Sequence, residues 1–109
     1  MDLELITPEF NNDELLQKLN GETAKLSWKE LEPHFARGVV VRVDSSLDLV
    51  QVAMSFSRDD RNKVETLMNS GSIATASDSD AINWTECQPS FWAVVVAPWV
   101  LIQEIPEVD

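Results

Sequence analysis

The chain is poor in the residues on which most site chemistry depends. It has one cysteine (Cys87), one histidine (His34) and three widely spaced glycines (Gly21, Gly38 and Gly71). A single cysteine excludes an intrachain disulfide and a thiolate metal cluster within one chain. The glycine spacing excludes a glycine-rich loop cradling phosphate. No stretch reaches the roughly 20 apolar residues needed to span a bilayer, and the longest apolar run is interrupted by Pro98. Met1-Asp2-Leu3-Glu4-Leu5 carries acid where a secretory signal needs positive charge. The expectation is a soluble, cytoplasmic protein that does not engage membranes.

Positive charge is also scarce. The 109 residues carry 19 acids against 8 bases, a net charge of −11. Every Lys and Arg lies between Lys18 and Lys63, so residues 64–109 hold seven acids and no base. A phosphate-binding surface needs clustered cations, which disfavours nucleic acid as a partner. Solubility explains most of this acid. An acidic adaptor or nucleic-acid mimic is the alternative, and it predicts that the C-terminal carboxylates gather on one face.

What the chain has in quantity is apolar, β-branched and aromatic sequence near its C-terminus. Twelve of the fifteen residues from Phe91 to Ile105 are apolar. That composition suits strand buried on both faces, so residues 91–105 are expected at or near the centre of a sheet. Pro98 lacks an amide donor and should lie at an edge or bulge. Either a hairpin turns near residues 97–100 or one long strand bends there.

Upstream, residues 1–11 read as an extended arm. Asn11 and Glu14 start a helix over about 12–20, with Asn20-Gly21 as its stop. Ser27-Trp28-Lys29-Glu30 is a capping box, and Trp28, Leu31 and Phe35 follow as one stripe. Pro33 should kink this helix or tighten its last turn, and Gly38 should end it. Residues 39–43 read as a strand. Residues 47–57 fit both periodicities, and the Ser45-Ser46 cap and the length favour helix. A helix over about 60–70 ends at Gly71, a short strand covers 73–76, and a capped helix runs to about Cys87. A 33-residue offset aligns Leu31, Phe35 and Gly38 with Val64, Met68 and Gly71. Generic helix starts and stops account for that pattern without duplication.

Catalytic and metal-binding signals are weak. His34 stands alone on a helix, and no motif supplies an oxyanion hole or activated thiolate for a His34–Cys87 dyad. Asp59-Asp60 and Asp78-Ser79-Asp80 sit at predicted helix starts, where carboxylates cap amides. The expectation is therefore no catalytic residue, no metal and no cofactor. Of the four tryptophans, Trp99 is the best candidate for an exposed anchor.

The segments LNGETAKLSWKELEPHFARG (19–38), LDLVQVA (47–53) and FWAVVVAPWVLIQE (91–104) resemble a bacterial small-protein family catalogued as domain of unknown function 2288. The likeness covers about residues 12–105. It implies a bacterial, single-domain, stand-alone protein, and it carries over no functional residue.

Together these readings predict an α+β domain over residues 12–109. It should have four or five short helices and a three- or four-stranded, mainly antiparallel sheet. The function they favour is a non-enzymatic protein-interaction module, homodimeric through its C-terminal strands or bound to another protein. The candidate surface comprises Pro98, Trp99, Leu101 and Gln103. The alternative is a small-molecule-binding protein or enzyme with a pocket near His34 and Arg37.

Overall fold

The computed structural model describes residues 12–106; the expected arm over residues 1–11 lies outside them. Five helices and five strands follow one another as α1 (Asn12–Glu22), β1 (Ala24–Ser27), α2 (Trp28–Ala36), β2 (Val40–Val43), α3 (Leu49–Ser57), α4 (Arg61–Asn69), β3 (Ile73–Thr75), α5 (Asp78–Cys87), β4 (Ser90–Val96) and β5 (Trp99–Glu104). The strands form one mixed sheet in the order β1-β4-β5-β2-β3.

The helix ends follow from their sequences. At α2 the Ser27 hydroxyl accepts the Glu30 amide at 3.2 Å, while the Glu30 carboxylate accepts the Ser27 amide at 3.0 Å. Ser77 and Asp80 form the same reciprocal cap on α5, and single carboxylates cap α3 (Asp48) and α4 (Asp60). Three helices end alike. Gly38 donates to Phe35 and Val39 to His34, Gly71 to Met68 and Ser72 to Leu67, Asp59 to Phe56 and Asp60 to Ser55. Each pair closes the last turn through a left-handed residue, with φ +75° at Gly38, +80° at Gly71 and 55° at Asp59. Pro33 lies inside α2, but α3 and α4 close in the same way without a proline, so this ending follows from the left-handed residue. Gly21, by contrast, lies inside the last turn of α1, which runs on to Glu22.

The sheet departs from expectation in strand number and contains one parallel pair. It has five strands rather than three or four, because residues 24–27 pair with residues 90–93 as an edge strand. Three of its four strand pairings are antiparallel, as expected, and the exception is β5, which runs parallel to β2 with Val40, Val41 and Arg42 opposite Val100, Leu101 and Ile102. The β4–β5 connection is a hairpin turned by Ala97 and Pro98, whose peptide is cis. Pro98 therefore sits in the turn and removes no ladder bond.

Helices cover both faces. Leu15 and Leu19 of α1, Leu49, Val50, Val52 and Ala53 of α3 and the apolar side of α4 pack on Val41, Val43, Ile73, Val94 and Leu101. On the opposite face α2 and α5 pack Trp28, Leu31 and Trp84 against Val40, Phe91, Ala93, Val100 and Ile102. This double cover explains why Val100, Leu101 and Ile102 are consecutively buried. The expected central position of residues 91–105 is observed. β4 and β5 each have hydrogen-bonded neighbours on both sides, although β1 reaches only residues 90–93 of β4. The actual edges, β1 and β3, are four and three residues long, and short edges limit unwanted pairing.

Candidate interaction grooves

Two open grooves lie on opposite faces of the sheet, and each is built by elements far apart in sequence. The first lies at the hairpin end. Register puts Val96 opposite Trp99, and both project to the face covered by α3 and α4. Phe56 from the end of α3 and Val64 and Met68 from α4 complete a groove of about 660 Å³ with Val96, Pro98 and Trp99. Met68 is 42% exposed and Trp99 36%. Its rim carries both signs: Asp59, Asp60 and Glu65 with Arg61. The Arg61 guanidinium lies 3.5 Å from the Asp59 carboxylate, both well exposed, so that pair adds little stability.

The second groove, of about 700 Å³, runs between α2 and α5. Glu32, Pro33, Phe35 and Ala36 form one wall, and Ala81, Ile82, Thr85 and Glu86 the other. At its base the Trp28 indole N–H donates to the Thr85 hydroxyl at 3.1 Å, which donates in turn to the Ala81 carbonyl at 2.7 Å. Trp28 also packs on Trp84 with ring centroids 5.4 Å apart and on Phe35 at 5.6 Å. This aromatic layer fixes the groove's floor. Ile82 is 63% exposed, more than any other large apolar residue described. The lining contains two carboxylates, Glu32 and Glu86, and no Lys, Arg or His.

The same side holds most of the C-terminal acid. Of the five described carboxylates beyond residue 64, Asp78, Asp80 and Glu86 lie on α5. Glu104 stands opposite Phe91 on that face of the sheet, and only Glu65 belongs to the other side. Asp80 is partly neutralised: one of its oxygens accepts from Arg42 Nε at 3.1 Å and from the Ser77 amide at 2.9 Å. A more polar recess of about 490 Å³ beside this pair contains Arg42, Asp44, Asn83, Cys87 and Glu104. Asp44 is fully exposed, and the Ser46 hydroxyl and amide hold its carboxyl below the usual carboxylate range.

The residues singled out from sequence separate into different roles. Pro98 and Trp99 are exposed at the hairpin groove. Leu101 is wholly buried at the sheet centre. Gln103 is half-buried, and its amide donates to the carbonyls of Asp44 at 2.9 Å and Leu47 at 2.7 Å. It therefore latches the β2–α3 loop. His34 is half-buried and Arg37 is the exposed C-cap of α2. Neither lines the α2–α5 groove, although their helix does. Among the described residues, no three His, Cys, Asp or Glu side chains gather as metal ligands do. No described helix is long and apolar enough to cross a membrane.

The comparisons with known proteins agree with this architecture. The chain is similar to a protein of known structure, PA1075 from Pseudomonas aeruginosa, solved by NMR in solution. The two share 47% identity over 91% of each chain, with a TM-score of 0.76. No curated protein matches the sequence. A family described as "Protein of unknown function (DUF2288)" matches residues 14–104, nearly the whole described structure, and the chain belongs to that family.

Proposed function

We propose that this protein is a non-enzymatic protein-interaction module, homodimeric through the end of the sheet at which its C-terminal strands turn. The observation that carries this reading is the hairpin groove. It combines exposed Met68 and Trp99 with a rim holding Asp59, Asp60, Glu65 and Arg61. A two-fold interface places one patch against its own copy, so it needs a surface that complements itself. An apolar centre rimmed by both signs meets that need, whereas most of this chain, at net charge −11, repels its copy. β4 and β5 are interior in the strand order, although β1 reaches only residues 90–93 of β4, and the proposed contact is made by the groove's side chains.

Light scattering and sedimentation at micromolar concentration test the reading. The expected result is a dimer for the natural chain and a monomer for the Met68→Glu/Trp99→Glu double variant, with unchanged circular dichroism. A natural chain that stays monomeric up to about 100 µM, where a Kd in the micromolar range of ordinary specific contacts would be saturated, overturns it.

A further inference from the structure

We infer that the α2–α5 groove is a second docking site, and that its occupant is a cationic amphipathic helix from another protein. The inference rests on the interaction-module reading but uses the opposite face of the sheet. Three features define the occupant. First, both walls are helix faces, with residues 32, 33 and 36 on α2 and residues 81, 82, 85 and 86 on α5. A third helix can lay apolar side chains at i, i+3, i+4 and i+7 between them. Second, Ala36 and Ala81 keep the walls low, and Ile82 projects 63% exposed as the apolar contact. Third, Glu32 stands on one wall and Glu86 on the other, with no cation in the lining.

Charge separates this groove from the hairpin groove. A copy of the same chain would bring like charge to like, since α5 carries Asp78, Asp80 and Glu86 and no base. Lys or Arg flanking both sides of an apolar stripe would meet a carboxylate on each wall, which favours encounter and fixes register. Neutral or acidic helices lack that match. The partner is therefore a helix whose apolar stripe is bordered by basic residues.

The test is fluorescence anisotropy of a labelled 14-residue Leu/Lys amphipathic peptide titrated with the intact protein. Two further peptides replace every Lys by Gln or by Glu. The Lys peptide is expected to bind at least tenfold more tightly than the Gln peptide, and the Glu peptide not at all. Ile82→Asp is expected to weaken binding of the Lys peptide at least tenfold, and Glu32→Gln/Glu86→Gln to weaken it several-fold while flattening its salt dependence. Ile82 is exposed, so its replacement should leave the fold intact. Ile82→Asp adds negative charge, so adsorption to the acidic surface in general would grow stronger with that variant. Equal or tighter binding by Ile82→Asp overturns the inference, as does failure of the Lys peptide to bind. Gln-peptide binding equal to Lys-peptide binding overturns the charge assignment. Light scattering keeps the two readings apart: an Ile82→Asp protein that stays dimeric but loses the peptide supports both, and a natural chain that is dimeric but does not bind the Lys peptide refutes this inference alone.

Discussion

Replacing Gln103 by alanine should destabilise the fold through a loop that Gln103 holds rather than through any partner. Its side-chain amide donates to two backbone carbonyls, Asp44 at 2.9 Å and Leu47 at 2.7 Å. The Asp44 carbonyl also accepts the Leu47 amide at 3.0 Å, so it keeps one partner when the glutamine is gone. The bond to Leu47 is the more buried of the two. A neutral hydrogen bond contributes about 0.5–1.5 kcal/mol net, with the buried one nearer the upper end. The expected cost is therefore about 2 kcal/mol. In a domain of about this size that lowers the melting temperature by roughly 8 °C or more. Urea denaturation followed by circular dichroism measures the cost, with an unchanged slope expected. Gln103→Glu keeps the shape but, when ionised, has no hydrogen to donate. The introduced carboxyl should have its pKa raised in the folded state, because only its neutral form can bond the loop. Its stabilising form is thus fully present below the unfolded value of roughly 4.3 and is lost as pH rises through the raised folded value. The deficit against the natural chain should grow from pH 4 to pH 7. A Gln103→Ala change within about 0.5 kcal/mol, the range of an ordinary surface substitution, would refute the latch. So would a Gln103→Glu deficit that does not vary with pH.

Other substitutions test other parts of the fold. Asp59 occupies a left-handed position with φ 55° at the end of α3, where glycine avoids the Cβ penalty. Asp59→Gly should stabilise by about 0.5–1 kcal/mol. Gly38→Ala should destabilise by about 1 kcal/mol. A Cβ at Gly38 meets nothing within 4 Å, so chemical denaturation reads the backbone cost alone. Trp84 is 1% exposed and packs on Phe91 at 5.0 Å; Trp84→Ala should cost about 3–5 kcal/mol and, in the same melts, disturb near-ultraviolet circular dichroism. The Asp44 carboxyl is held low first by the Ser46 hydroxyl and then by the Ser46 amide. That contribution is present above the unfolded carboxylate value and is lost as pH falls through the depressed folded value. Ser46→Ala should move the Asp44 titration upward, read by carboxyl-carbon NMR.

Local signals in the sequence carried most of the helices and the position of the apolar segment. The Ser27–Glu30 box, the Asp60 cap and the glycines at 38 and 71 each act within a few residues, so a linear reading contains them, whereas the cap expected at Ser45-Ser46 is in fact Asp48, because α3 begins only at Leu49. β1 was missed because its stability is not local. Only Leu26 of its four residues is a large apolar side chain, and its partners lie at residues 90–93. Ser27 ends β1 and caps α2 at once, and the capping signal masked the strand. The parallel β2–β5 pair is also invisible locally, because it joins segments 60 residues apart. Without it, residues 98–105 read as a region reaching an edge. In fact β2 covers that side.

The grooves were legible only in pieces, for a geometric reason. Trp99 stood out because a tryptophan beside Pro98 in a turn has few neighbours along the chain. Ile82 did not, because an isoleucine within a short helix carries no local mark of exposure. A helix advances about 100° per residue, so Ile82 lies about 200° from Trp84 around the axis. With Trp84 1% exposed against the sheet, Ile82 had to face away from it, and it is 63% exposed. The angular argument needs only one firm anchor, and a tryptophan two residues away on the same helix supplies it. The same step places Glu86, at i+4 from Ile82, on the same outward face, so the apolar contact and the carboxylate of that wall form one stripe. What the sequence does not contain is the opposite wall. Glu32 and Ala36 meet that stripe only because α2 and α5 pack on the same face of the sheet, joined at their base by the Trp28–Thr85 bond.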